Sequence, residues 1–187
     1  MHKSGFINII GNPNVGKSTL MNCFMGEKFS IITSKAQTTR HRILGIVNGD
    51  DFQLVFSDTP GILKPLYELQ DSMMDFVKNA LEDADILIYM IEIGEKSIKN
   101  SDVHKKILNA KVPTFILLNK IDLSNQEDLE AQVNYWTELY PKSFIYPISA
   151  LNNFNISQVL THLIELIPES PPYFPKDQLT DKPERFF

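Results

Sequence analysis

Eight residues near the start of the chain, Gly11-Asn12-Pro13-Asn14-Val15-Gly16-Lys17-Ser18, spell G-x-x-x-x-G-K-S. Glycine lets a loop wrap closely around phosphate oxygens, and the N–H groups at a helix start face an anion. In that reading Lys17 reaches the outer phosphates, Ser18 ligates Mg²⁺, and Thr19 extends the same contact surface. An ordinary glycine-rich strand-to-helix turn can use the same letters. The apolar run before this loop and the helical period after it favour the phosphate reading.

Three further clusters fit around that loop. In Asp58-Thr59-Pro60-Gly61 a carboxylate closes an apolar run, where it can hold Mg²⁺ through a water. Gly61 offers a backbone N–H to a terminal phosphate, with Ile62 next in line. In Asn119-Lys120-Ile121-Asp122 the carboxylate of Asp122 can accept from the N1–H and 2-amino groups of guanine. Adenine lacks both donors in that arrangement, and a site built on them rejects it by ~10⁴-fold. Asn119 then contacts the base edge or the neighbouring loops, and the Lys120 stem lies along the base. Last comes Ser149-Ala150, where the N–H of Ala150 can donate to guanine O6.

These clusters need elements to hold them. Apolar runs at 6–10, 86–91, 114–118 and 144–148 read as strands. Segments 42–47 and 52–57 flank Asn48-Gly49-Asp50-Asp51, a strong hairpin signal. Helical period predicts helices at 17–26, over Met73, Met74, Phe76, Val77, Ala80 and Leu81, and over Val103, Ile107 and Leu108 with a cap near Ser101. Ser124 with Glu127 reads as a capping box opening a helix that carries Leu129, Val133, Trp136 and Leu139. Ile156, Val159, Leu160, Leu163, Ile164 and Ile167 mark a final helix. The alternation predicts an α/β fold, a mostly parallel six-stranded sheet with helices on both faces. In such sheets ligands sit beyond the carboxyl ends of the strands, where all four clusters fall.

Composition sets the outer bounds. The chain has 187 residues, 43% hydrophobic and 22% charged, as expected for one folded domain and an appendage. A net charge of −5 argues against nucleic-acid binding through bulk charge. The single cysteine, Cys23, permits no internal disulfide and reads as a small buried hydrophobe in the first helix. The longest apolar run has six residues, far short of a membrane span, and the expected location is cytoplasmic. Five of the 11 prolines lie in residues 168–187, so this segment reads as an extended linker or strap. Segment 28–49 carries Lys28, Lys35, Arg40 and Arg42 and no acid. A basic stretch of this kind can attract phosphates or RNA, or can simply be solvated.

The four clusters, in this order, resemble the translation-factor class of GTPases. Gln37-Thr38-Thr39-Arg40-His41-Arg42, the Pro13-Asn14 pair of the phosphate loop, and Tyr173-Phe174-Pro175 followed by Thr180-Asp181-Lys182-Pro183-Glu184-Arg185-Phe186 narrow the resemblance to the bacterial Era-like GTPases. The resemblance implies a Ras-like G domain at 1–167, and a Pro-rich linker at 168–187 leading to a C-terminal KH domain that binds RNA. It implies a GTP-hydrolysing switch in small ribosomal subunit assembly, with GTP/GDP and Mg²⁺ bound, and with small-subunit ribosomal RNA and the 30S subunit as partners of the full-length protein. It places Thr39 as a Mg²⁺ ligand beside Ser18 and, through water, Asp58; the sequence does not separate Thr38 from Thr39 decisively. Lys17, Thr39 and Gly61 are then the catalytic set. Segments 27–41 and 58–71 are the two switches, ordered by Mg²⁺ and GTP.

Where many GTPases carry a water-orienting Gln after the second cluster, this chain has Ile62, as Era-like GTPases do, so water must be positioned another way. Arg40 or Arg42 as an internal arginine finger, or a bound cation, are alternatives. Asn14 stands where some related GTPases ligate K⁺, which makes K⁺ a further candidate. His41 fits a basic loop or an RNA-facing role better than a catalytic base. A monomer is favoured, and peripheral membrane contact is left open. The competing readings are another P-loop NTPase, such as a kinase or ATPase, and an RNA-assembly module that binds nucleotide without significant hydrolysis.

Overall fold

The computed structural model describes residues 1–26, 43–58, 84–96 and 101–175. The expectations on Thr38, Thr39, Arg40, His41, Arg42, Thr59, Pro60, Gly61, Ile62, the helix over 73–81 and residues 176–187 lie outside them. Among the described residues the elements run β1 (Lys3–Gly11), α1 (Lys17–Met25), β2 (Ile43–Asn48), β3 (Phe52–Asp58), β4 (Ile86–Glu92), α2 (Ser101–Leu108), β5 (Thr114–Asn119), a 3₁₀ turn (Ile121–Leu123), α3 (Gln126–Leu139), β6 (Phe144–Pro147) and α4 (Ile156–Leu166).

The six strands form one sheet in the order β2-β3-β1-β4-β5-β6. Only β2 and β3 pair antiparallel, joined at the expected hairpin, where the Gly49 N–H donates to the Phe52 carbonyl at 2.9 Å. The other pairs are parallel.

The continuous apolar strands are buried on both faces, and alternation assigns each residue to a side. Ile86, Ile88 and Met90 of β4 join Phe115 and Leu117 of β5 in a core under α1 and α4, with Leu20, Phe24, Val159 and Leu163. Leu87, Tyr89 and Ile91 face the other way with Ile116 and Leu118, against Ile107, Trp136 and Tyr140. Truncating a fully buried residue such as Ile88 to Ala costs about 2–5 kcal/mol.

One local expectation shifts. Helix α3 is capped by Asn125, not Ser124: Asn125 Oδ1 accepts from the Asp128 N–H at 2.9 Å. The 3₁₀ turn has already engaged the Ser124 N–H with the Ile121 carbonyl, so the helix starts one residue later. Residues 168–175, the described part of the proline-rich segment, pack against the domain. The Ser4 N–H donates to the Pro168 carbonyl, the Ser170 N–H to the His2 carbonyl, and Tyr173 packs its ring 4.8 Å from Phe6. Gln53 of β3 is fully buried. Its Oε1 accepts from the N–H groups of Tyr173 and Phe174, and its Nε2 donates to the Phe174 carbonyl.

Candidate nucleotide-binding site

Parallel pairing carries the carboxyl ends of the strands to one edge of the sheet. Asp58 stands opposite Ile9 near the end of β1, Gly11 opposite Met90, and Asn119 opposite Glu92. Sequence positions far apart thus meet in one place.

The loop 11–18 curls because Asn14 (φ 62) and Gly16 (φ 101) are left-handed. Asparagine tolerates that conformation and glycine accepts it without strain. Glycine at 11 has a second reason: any Cβ there would run into the Met90 carbonyl of β4. Lys17 opens α1 and is only 8% exposed. Its ammonium donates to the carbonyls of Gly11 (3.1 Å) and Asn12 (2.8 Å), so the loop closes around it. Val15 is fully buried, Pro13 half-buried, and Asn14, Ser18 and Thr19 exposed.

Asn119 joins this loop to the opposite side of the site. Its Nδ2 donates to the Val15 carbonyl at 2.8 Å, and its Oδ1 accepts from the Ala150 N–H at 2.9 Å. Of the two roles open to Asn119, the structure displays the loop contact. The Ala150 N–H is therefore engaged, and donation to guanine O6 requires it to be shared with Asn119 or released. Asp122 lies in the 3₁₀ turn, with Ser149 Oγ donating to its Oδ1 at 2.5 Å. That bond engages one carboxylate oxygen and ties the 149–150 loop to the Asp122 turn. Lys120 adopts φ 66, and its ammonium pairs with Glu92 at 2.7 Å.

Five contributing residues carry no sequence motif. Cys23 is half-buried, and its thiol donates to the Ala150 carbonyl at 3.2 Å, linking α1 to the 149–150 loop. Burial pushes its thiol above the ordinary value, in keeping with an unreactive structural group. Glu92 and Glu95, from the turn after β4, reach Lys120 and Asn12. Asn153 and Asn155 hold left-handed backbone in the loop leading to α4. The available signals were faint: a lone acid closing an apolar strand, and two asparagines shortly after Ser149-Ala150.

A buried lysine inside a glycine-bent loop, followed by a carboxylate turn joined to it through an asparagine, defines a P-loop nucleotide-binding domain. The chain belongs to the family of 50S ribosome-binding GTPases, whose model matches residues 6–120. Its fold is that of a GTPase G domain. Among solved structures it is similar to Era in complex with MgGDPNP and nucleotides 1506–1542 of 16S ribosomal RNA, at 36% identity and a TM-score of 0.88. That match covers 99% of this chain and 64% of the Era chain. A variant of Aquifex aeolicus Era bound to GDP and AlF₄⁻ is similar at 37% identity and a TM-score of 0.87, covering 98% of this chain and 63% of that one. The FeoB G domain from Methanococcus jannaschii, at 24% identity and a TM-score of 0.64 over 86% of this chain and 96% of its own, shares the fold. The chain thus spans somewhat under two thirds of the length of the Era structures it matches.

Proposed function

We propose that this chain is the guanine-nucleotide switch of an Era-like protein that acts in small ribosomal subunit assembly. The observation that carries the reading is Asn119, whose one side chain spans the phosphate loop at Val15 and the base loop at Ala150. Such a bridge makes sense where one ligand touches both loops at once, as a nucleotide does.

In this reading Asp122 selects guanine by accepting from its N1–H and 2-amino groups. The ammonium of Lys17, already placed by two loop carbonyls, meets the outer phosphates of GTP. In this reading Mg²⁺ would be held by the hydroxyl of Ser18 at the exposed start of α1, by Asp58 at the end of β3 through water, and by Thr39, which lies outside the described residues. Bound there, Mg²⁺ would neutralise charge on the phosphates. Ile62 cannot orient the attacking water, so backbone groups, a bound cation or a partner must do it. Unassisted turnover is accordingly slow, on the order of 10⁻³ s⁻¹ or less.

The Era structure that contains nucleotides 1506–1542 of 16S ribosomal RNA supports ribosomal RNA as a partner of the complete protein, and the 30S subunit is proposed with it. Residues 168–187 serve as the linker to the RNA-binding KH domain. We place the protein in the cytoplasm as a monomer. Among the described residues no helix is long and apolar enough to cross a membrane.

The test is titration of the 187-residue chain with GTP, GDP and ATP, with phosphate release followed in Mg²⁺–GTP. Tight guanine-nucleotide binding with slow release of phosphate is expected. Preference for ATP points to a P-loop kinase or ATPase. Binding without release points to a nucleotide-binding assembly module. Anisotropy with single-stranded ribosomal RNA should give weak binding here and tighter binding for a chain extended past residue 187, because a KH domain clamps the RNA backbone with its own loop.

A further inference from the structure

Strand β4 ends at Glu92 and the chain turns at once, with Gly94 at φ 92 and the Glu95 N–H donating to the Glu92 carbonyl at 3.1 Å. The turn is fastened to β5 by the Ile93 N–H, which donates to the Asn119 carbonyl at 2.9 Å. Two carboxylates leave it for two different parts of the site. Glu95 Oε2 accepts from Asn12 Nδ2 at 2.6 Å, and Glu92 Oε2 accepts from Lys120 Nζ at 2.7 Å. None of the four signature clusters includes residues 92–95.

The Asn12 contact bears on the phosphate loop. Asn12 is 5% exposed, and its backbone carbonyl is one of the two that hold the Lys17 ammonium. Among the described residues its Oδ1 has no hydrogen-bond partner, so the bond to Glu95 is what orients the amide. A flipped amide would set Oδ1 against the carboxylate. A carboxylate beside an anion-binding loop opposes phosphate by simple Coulomb repulsion, so its presence calls for a compensating role. The Glu92–Lys120 pair is about one third exposed on each side and adds little to stability. What it does is fix the Lys120 stem.

We propose that the turn 92–95 is a positioning element of the nucleotide site: Glu95 sets the phosphate loop through Asn12, and Glu92 sets the base-binding turn through Lys120. The proposal rests on the guanine-nucleotide reading above.

The experiment compares GDP and guanosine affinities for wild type, Glu95→Ala, Glu95→Gln, Asn12→Ala and Glu92→Ala. Glu95→Ala should weaken GDP by about tenfold, the scale of a hydrogen bond to a charged group. Guanosine, which lacks phosphates, should bind it as it binds wild type. Glu95→Gln keeps an acceptor oxygen and drops the opposing charge, so it should match or exceed wild type. Glu92→Ala should weaken GDP and guanosine by the same factor. The Asn12→Ala/Glu95→Ala double variant should be no worse than either single change, since both remove one bond. Unchanged GDP affinity in Glu95→Ala, equal loss of GDP and guanosine in it, or failure of Glu95→Gln to rescue overturns the proposal while the guanine site stands. A wild-type chain that binds no GDP overturns the guanine reading and this proposal together.

Discussion

The side-chain amide of Asn119 donates to the Val15 carbonyl at 2.8 Å across 104 residues of chain, and both residues are almost wholly buried. Asn119→Ala leaves that carbonyl and the Ala150 N–H without partners. The expected loss is about 2–4 kcal/mol of stability, from two orphaned buried groups. Asn119→Asp should not rescue it, because a carboxylate cannot donate to Val15. Chemical denaturation with and without GDP measures both effects. An alanine variant as stable and as tight-binding as wild type would remove the bridge from the account.

Asp122→Asn should exchange guanine preference for xanthine, because the amide can donate to xanthine O2 where the carboxylate could only accept. Ser149→Ala removes the hydroxyl that holds Asp122 and should weaken GDP a few-fold while leaving guanine preferred. Competition of XTP against GTP reads both. Continued preference of the Asp122 variant for GTP would show that this carboxylate does not read the base.

Asn14 is exposed on the phosphate loop in a left-handed turn. If it ligates K⁺, turnover of GTP is faster in KCl than in NaCl, and Asn14→Ala abolishes the difference. Equal rates in the two salts for both proteins remove the cation from the mechanism.

Gln53 holds the strap at 168–175 through three hydrogen bonds to Tyr173 and Phe174. Gln53→Leu keeps most of the volume and loses all three, together with the bond from Gln53 Nε2 to Asn48 Oδ1, for a cost of about 3–4 kcal/mol. Hydrogen exchange at the Tyr173 and Phe174 amides should accelerate in step. Unaltered protection there would mean that packing of Tyr173 on Phe6 suffices to seat the strap.

Burial lifts the Tyr89 and Tyr140 hydroxyls above the ordinary phenol value, with a smaller rise at Tyr89 from nearby Glu95. Both are acids whose neutral form the folded state prefers. Their contribution is therefore complete below the unfolded value of about 10 and is lost as pH rises beyond it. Denaturation midpoints should fall steeply above about pH 10, and less so in Tyr140→Phe. A flat alkaline limb in wild type would contradict the sign.

Much of the site was legible because its chemistry is local. Gly11, Gly16, Lys17 and Ser18 lie within one turn of chain, and their spacing alone demands a bend, a charge and a hydroxyl at a helix start. Asp122 was legible for the same reason, being three residues from Asn119 on a strand end. The β2–β3 hairpin followed from Asn48-Gly49, and the two-faced burial of β4 from six apolar residues in a row. The capping of α3 was misplaced by one residue because Ser124 and Asn125 are both competent caps. The choice between them depended on a 3₁₀ turn that leaves no periodic signature.

What the sequence determined by itself is the set of groups and the strand ends that carry them, since residue type and short spacing dictate bends, charges and faces without reference to the rest of the chain. Only the tertiary structure decided which of these groups touch. Glu95 reaches Asn12 across 83 residues, Gln53 reaches Phe174 across 121, and Cys23 reaches Ala150 across 127. Such pairings come from strand order and register, which turn distant positions into neighbours. A polar side chain at the end of a strand becomes a brace or a solvated surface group according to what that order brings beside it.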